Sequence, residues 1–246
     1  MSGKTTTLYS ILEYLNRPEI NITTVEDPVE IRVQGINQIE VDAKTSFATS
    51  LRTILRQDPD IILVGEIRDL ETAEIAMQSG QTGHYVLSTI HTIDSIEVIT
   101  RLRKLGISDY DISSTLATSV SQRLIRRPCP HCATKRKFTE EEMTIMQKLV
   151  DKYGIKLDFK DRFTYDTKGC KECNHTGFLD RIAVFEVLEI NDDIRELISA
   201  GASSMKIREK ALEGDIYKPL FVDAIDKILN GIVTLEEANK KLVLFQ

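Results

Sequence analysis

No run in this 246-residue sequence approaches the roughly 18 consecutive apolar residues that a membrane-spanning helix needs. The first apolar positions are interrupted by Ser10, Glu13 and Asn16, so no secretory leader is expected. Positive charge is not in excess: 32 Lys and Arg stand against 38 Asp and Glu, a net charge of -6, which argues against bulk nucleic acid as the main partner. Aromatic residues are only 6% of the chain and are not interleaved with basic ones, as a single-strand-binding groove would require. Repeats and low-complexity tracts are missing. Cysteine is scarce, and the four present fall in two tight C-x-x-C pairs, which is not a disulfide framework. A soluble cytoplasmic chain is expected, with 41% hydrophobic residues and length for one large or two to three small domains.

Half of a motif is also lacking. The chain opens MSGKTTTLYS, and Ser2–Thr5 closes the phosphate-binding pattern G-x-x-x-x-G-K-[ST], whose first glycine would lie before Met1. In such a loop Gly3 lets backbone N–H groups approach phosphate oxygens, aided by the helix N-terminus behind it. Lys4 would reach the β- and γ-phosphates, and the Thr5 hydroxyl would bind Mg²⁺. Taken alone, the same four residues also suit a surface turn that caps a helix.

Periodicity places the elements. Leu8, Ile11, Leu12 and Leu15 mark a helix leaving the loop. INITTVEDP reads as a strand stopped by Pro28, and IRVQGINQIEV as a hairpin bent at Gly35. SFATSLRTILRQ is helical, DIILVGE suits a strand buried on both faces, LETAEIAMQSG is a helix closed by Gly80, and YVLSTIH is another buried strand. Strands alternating with helices predict an α/β fold with a parallel sheet. Ile96, Ile99 and Leu102 mark a helix ended by Gly106, and Ile112, Leu116, Val120 and Leu124 mark another. A cysteine-bearing insert follows, with a capping box of Thr139 and Glu142. DRIAVFEVLEI then reads as a strand before a helical tail with a second box, Thr234 with Glu237.

Chemistry clusters at strand ends. Gly65, Glu66 and Arg68 follow the apolar run, where an acidic group beside a phosphate loop manages Mg²⁺ and the attacking water. Glu66 is placed to orient or deprotonate that water; Glu66 and Asp69 also suit first-turn acids of the next helix. Glu26, Asp27 and Glu30 gather past another strand, either near Mg²⁺ through water or as a solvated acidic turn. His84 and His91 lie seven apart and on opposite strand faces, so they do not share a metal; His91, at the C-terminal end, is the one able to reach a γ-phosphate. Cys129, Cys132, Cys170 and Cys173 give C-x₂-C-x₃₇-C-x₂-C, the four thiolates of a closed structural Zn²⁺ site. Such a site carries about -2, which accounts for Arg126, Arg127, Lys135, Arg136 and Lys137 nearby; a nucleic-acid patch or a solvated face are the other readings. His131 and His175 are spare ligands. Arg52, Arg56, Arg68, Arg101 and Arg123 are each a possible phosphate clamp or a surface ion pair.

SGKTTTLYSIL, TTVEDPVE, LRTILRQDPDIILVGEIRDLETA, GQTGHYVLSTIHT and the two cysteine pairs together resemble the secretion ATPase superfamily, in its type II secretion and type IV pilus assembly branch. The resemblance implies a RecA-like P-loop NTPase core over residues 1–126, a tetracysteine zinc subdomain over 127–178 and a small, mainly helical domain over 179–246. It implies a homohexamer that hydrolyses ATP with Mg²⁺, on the cytoplasmic face of the inner membrane. The partners it implies are an inner-membrane platform protein and cytoplasmic assembly-ring components, with no direct nucleic acid. Ser2, Gly3, Lys4, Thr5, Thr6 and Gly65 are the nucleotide-binding candidates; Glu66, His91 and Glu26 are the catalytic ones. The cysteines match assembly ATPases and not retraction ATPases. At the front the family's Gly-Pro-Thr-Gly-Ser-Gly-Lys-Thr is cut, with Met1 where a glycine belongs. The chain is therefore expected to be a piece truncated inside the loop and, alone, weakly active or inactive. A catalytically silent partner-binding module and a RecA-type DNA motor are the alternatives.

Overall fold

Short runs of β-branched residues between amphipathic helices build a parallel sheet in the computed structural model, which describes residues 2–42, 45–151, 153, 155–214 and 216–242. Met1, set against a loop glycine above, lies outside them. Helix α1 (Lys4–Leu15) leads to β1 (Ile22–Glu26) and β2 (Asn37–Glu40), then α2 (Phe47–Ile54) and a 3-10 turn, Leu55–Gln57. Next come β3 (Ile61–Val64), α3 (Leu70–Gln81), β4 (Tyr85–Ser88), α4 (Glu97–Leu105) and α5 (Asp109–Thr115). The four strands lie in the order β2-β1-β3-β4, all parallel. Register pairs Val25 with Val64 and Val64 with Ser88, so the strands end level. Tyr9 and Leu12 of α1 pack on Ile22, Ile61 and Leu63, and burying each such side chain contributes about 1.5–3 kcal/mol.

Beyond α5 the chain forms β5 (Thr118–Pro128), β6 (Ala133–Arg136), α6 (Glu140–Asp151), β7 (Thr164–Thr167) and β8 (Phe178–Glu189). It then forms α7 (Asp192–Ser199), α8 (Ser204–Leu212), β9 (Tyr217–Lys218), α9 (Leu220–Leu229) and α10 (Leu235–Leu242). β6 and β7 pair antiparallel, and a second sheet has the order β5-β8-β9. Among the described residues no helix is long and apolar enough to cross a membrane.

The chain divides into two compact units. One holds residues 4–119 and 188–216; the other holds 2–3, 120–187 and 217–242. In the second, Ile125, Met146, Val184, Ile228 and Val233 share a core with Leu235 and Ala238. This partition does not coincide with divisions at 126 and 178: α7 and α8 group with the parallel sheet, while α9 and α10 group with the cysteine-bearing segment.

Several local expectations are corrected. The hairpin at Gly35 is a single strand, because the Gln38 side chain satisfies the backbone before it, donating to Ile31 O at 3.0 Å and accepting from Val33 N at 2.8 Å. α3 runs through Gly80, where a Cβ would fall 2.5 Å from Thr115 Cγ2, so the glycine serves close packing and not termination. β4 is an edge strand with Tyr85 57% exposed, and it stops before His91. The helix expected through Val120 and Leu124 ends at Thr115; every-fourth spacing is also even-numbered and suits the β5 strand that follows. The Thr139–Glu142 box is present, with Glu142 N to Thr139 Oγ1 at 3.2 Å and Thr139 N to Glu142 Oε2 at 2.9 Å. In the other box Thr234 accepts from Glu237 N, but the Glu237 carboxylate is taken by Arg126.

Candidate functional site

Level strand ends place the loops after β1, β3 and β4 on one side of a cavity of about 240 Å³. From α1 come Lys4, Thr5, Leu8 and Tyr9, neighbours on one helical face by their i, i+3 and i+4 spacing. Glu26 ends β1, and Asp27, Pro28 and Glu30 follow it, with the Asp27–Pro28 peptide cis. Leu63 comes from β3 and Gly65 and Glu66 follow it, Thr89 and His91 follow β4, and Phe47 comes from α2. Ser2, Gly3 and Thr6 do not line this cavity; Gly3 has φ +82°, in the region open to glycine. Gly65 lets β3 pass β1 closely: its N–H donates to Val25 O at 2.8 Å, and a Cβ would lie 3.1 Å from the same oxygen.

Two carboxylates meet different surroundings. Glu26 is buried and saturated: it accepts from the Tyr9 hydroxyl, from Thr24 Oγ1 at 2.5 Å and from Gln38 Nε2 at 3.1 Å. Burial, and then the bond to Glu26, pushes the Tyr9 phenol up to about 12. Glu66 is half-committed. One oxygen is ion-paired with Arg68, whose pKa is raised by that bond, and Arg68 also lies 3.9 Å from Asp27 Oδ2. The other oxygen, Oε2, is buried, has no hydrogen-bond partner among the described residues, and lies 3.5 Å from His91 Nε2. Thr5 Oγ1 donates to Glu30 Oε1 at 3.4 Å. Lys4 makes no ion pair among the described residues. The arrangement offers a cation, a hydroxyl and an unpartnered carboxylate oxygen around one cavity, a set suited to an anionic ligand with a metal ion and a water.

The other sequence candidates separate. His84 precedes β4 and bonds Ser79 O at 3.1 Å and Thr82 Oγ1 at 3.2 Å, a role at the end of α3. Asp69 N-caps α3 through Thr72 N at 2.9 Å. Arg52 pairs with Glu71, and Arg68 reaches the carboxylates of Glu66 and, at 3.9 Å, Asp27. Tyr9 and Phe47 were not singled out by sequence, although Tyr9 lies one turn beyond Thr5.

The four cysteines converge with every sulfur within 4.8 Å of the others. Sγ–Sγ separations are 3.9 Å for Cys129–Cys170 and 3.8 Å for both Cys132–Cys173 and Cys170–Cys173. A tetrahedral ion with bonds of about 2.3 Å to sulfur needs edges of about 3.8 Å, so the thiols fit a metal. The amides of Cys170 and Gly177 each donate to Cys173 Sγ at 3.2 Å. Burial raises the Cys173 thiol, but those donors and the neighbouring thiols bring it down to about 6, while burial and the other three thiols push Cys132 up to about 12, so without an ion the cluster favours a thiolate at Cys173 and a proton at Cys132.

A family model described as Type II/IV secretion system protein matches residues 1–240. The chain is similar to Type II secretion system protein E of Aeromonas hydrophila, 43% identical over 238 residues, which are 96% of this chain and 46% of that protein. It is equally similar to the Type IV pilus assembly ATPase PilB of Myxococcus xanthus, at 43% over 239 residues, 96% of this chain and 41% of the relative. Among solved structures, that of the pilus retraction motor PilT with bound ADP matches at TM-score 0.68 and 28% identity, over 97% of this chain and 57% of that one. The Legionella pneumophila ATPase DotB shares the fold at TM-score 0.64 and 21% identity, over 97% and 56%. The chain spans less than half the length of these two curated relatives.

Proposed function

The chain belongs to the Type II/IV secretion system protein family, and from that premise we propose that it is the ATP-hydrolysing part of a motor that powers assembly of type IV pili or type II secretion pseudopili. Two relatives at 43% identity carry secretion or pilus-assembly names, which supports this reading. The motor works as a homohexamer at the cytoplasmic face of the inner membrane, against a platform protein and assembly-ring components.

In this reading Lys4, at the start of α1, meets the β- and γ-phosphate oxygens, with the helix N-terminus adding its positive end. Ser2 and Gly3 precede Lys4 in the same phosphate-binding segment and Thr6 follows it in α1, and Gly65 keeps the β3 backbone close enough to β1 for Glu66 to reach the cavity. Thr5 would be the protein's hydroxyl ligand to Mg²⁺, with Asp27 and Glu30 beside it, whereas the Glu26 carboxylate is already occupied by Tyr9, Thr24 and Gln38 and holds the β1 end in place; the ion would neutralise charge across the phosphates when bound. Glu66 is held through one oxygen by Arg68, leaving Oε2 to orient a water for in-line attack and to take its proton. His91, beside that oxygen, reports the state of the γ-phosphate. Cys129, Cys132, Cys170 and Cys173 hold Zn²⁺, which staples the cysteine knuckles and takes no part in hydrolysis.

The unpartnered, buried Glu66 oxygen beside His91, in a cavity shared with Lys4 and Thr5, carries the reading. Phosphate release from Mg·ATP is predicted to fall by about a hundredfold or more in Glu66→Gln while ATP binding is kept. Release indifferent to Glu66, or no release with unchanged partner binding, would favour a catalytically silent module.

A further inference from the structure

The loop that carries His91 is tied at both ends. At its start, Thr89 Oγ1 donates to Gly65 O at 2.8 Å and Ile67 N donates to Thr89 O at 2.9 Å, so the chain on either side of Glu66 and the start of this loop move together. At its far end, Asp94 has two separate duties. Its Oδ1 accepts from Ile96 N at 3.0 Å and Glu97 N at 2.8 Å, closing the start of α4. Its Oδ2 accepts from Arg208 Nη2 of α8 at 2.6 Å, across 114 residues of sequence.

Helix α7 is fastened to the same unit by further arginines. Arg103 of α4 donates to Ala202 O at 2.7 Å and Ile198 O at 3.2 Å, capping the carbonyl end of α7. Arg195 of α7 donates to Ser113 O at 2.5 Å, and Ser199 Oγ bonds Ser113 Oγ at 2.8 Å. These bonds run from α7 and its C-terminal turn to α4 and α5. The Asp94–Arg208 pair differs because it ends on the loop that bears the residue nearest the unpartnered Glu66 oxygen. An ion pair to a loop, unlike one between helices, restrains a segment with few buried contacts of its own.

We infer that Asp94 and Arg208 are positioning residues: the pair sets the His91 loop against Glu66 and passes a change in that loop to α8. The inference rests on the proposed nucleotide site only for what moves the loop; the tether itself does not. Displacement of His91 on loss of a γ-phosphate would pull on Asp94, and Arg208 would hand that movement to the α7–α8 pair, an element that both ends can bias.

The test is amide hydrogen exchange on the full chain, first without nucleotide. Asp94→Asn keeps the oxygen that closes α4, since Asn caps as well as Asp, and loses only the acceptor for Arg208. Exchange over residues 89–96 is expected to rise by up to about fivefold in Asp94→Asn and Arg208→Ala, the range of a partly exposed pair. It should return toward the parent in Arg208→Lys and stay unchanged in α3. An unchanged rate in both variants, each folded by circular dichroism, overturns the tether. A non-hydrolysable ATP analogue with Mg²⁺ is then added. Altered exchange over 204–212 in the parent and none in Asp94→Asn supports the coupling; no change in a parent that binds the analogue overturns it. Failure of the parent to bind overturns the nucleotide reading and the coupling with it, leaving the first arm to judge the tether.

Discussion

Stripping metal from the cysteine cluster should melt the two knuckles and leave the parallel sheet intact. The Sγ–Sγ separations of 3.8–3.9 Å already match the roughly 3.8 Å edge of a tetrathiolate zinc centre, so an ion binds with little rearrangement of the sulfurs. A structural zinc contributes about 10–16 kcal/mol of apparent binding free energy, which rivals the whole stability of a typical domain, about 5–15 kcal/mol. The core of the same unit, around Ile125, Met146, Val184 and Ile228, contains none of the cysteines. The loss should therefore concentrate in residues 129–136 and 164–177, which hold β6, β7 and the cysteine turns. Elemental analysis is expected to find one zinc per chain. Hydrogen exchange after chelation, or in Cys173→Ser, should show protection of those two segments falling by about a hundredfold or more, with peptides over 22–26 and 61–64 unchanged. Metal-free protein with full knuckle protection would refute the reasoning, and so would a chelator that unfolds β1 and β3 equally.

Tyr9→Phe removes one of three donors to Glu26 and should cost about 1 kcal/mol in urea titrations. It should also remove an alkaline loss of stability. The folded chain holds the Tyr9 proton up to about 12 while the unfolded chain releases it near 10, so the parent's stability is steady below pH 10 and falls from there toward 12. A parent and variant with the same slope across that window would count against the buried Tyr9–Glu26 bond. Arg126→Ala leaves the Glu237 carboxylate, 2% exposed and held at 2.7 and 2.6 Å, buried without its partner. The expected cost is about 3 kcal/mol, the low end for a broken buried pair because Arg126 is one-third exposed. At about 2–4 °C per kcal/mol, Tm should fall by about 6–12 °C, and a fall under about 2 °C would show that solvent reaches Glu237.

Much of the site was legible in the sequence because its chemistry is local. Lys4 and Thr5 follow a glycine at a helix start, and Glu66 follows a short apolar run that suits a buried parallel strand. His91 was placed on the right side of the sheet, although it lies past the end of β4. The cysteine spacing led directly to a cluster of four. What escaped was settled by long-range partners. Nothing periodic marks Gln38 as the residue that occupies the backbone of 31–33, so a hairpin was the simpler expectation. Val120 and Leu124 satisfied a helix by their spacing and a strand by its parity, and burial of Ser119, Ser121 and Gln122 instead could not be read from pattern. α7 and α8 are tied to the unit of the parallel sheet by Arg103, Arg195 and Arg208, which in one dimension are ordinary surface charges, as well as by the fully buried Ile194, Ile198 and Ile207.

The central claim is that the cavity lined by Lys4, Thr5, Glu66 and His91 is a Mg·ATP site. Calorimetric titration of the chain with Mg·ATP, beside Lys4→Ala, tests it most directly. The account predicts binding at one site per chain, weakened by about tenfold or more in the variant, since one charge-assisted bond to phosphate is worth about 1.5–3 kcal/mol. A parent that binds no ATP, or a Lys4→Ala chain that binds it as tightly as the parent, would contradict it.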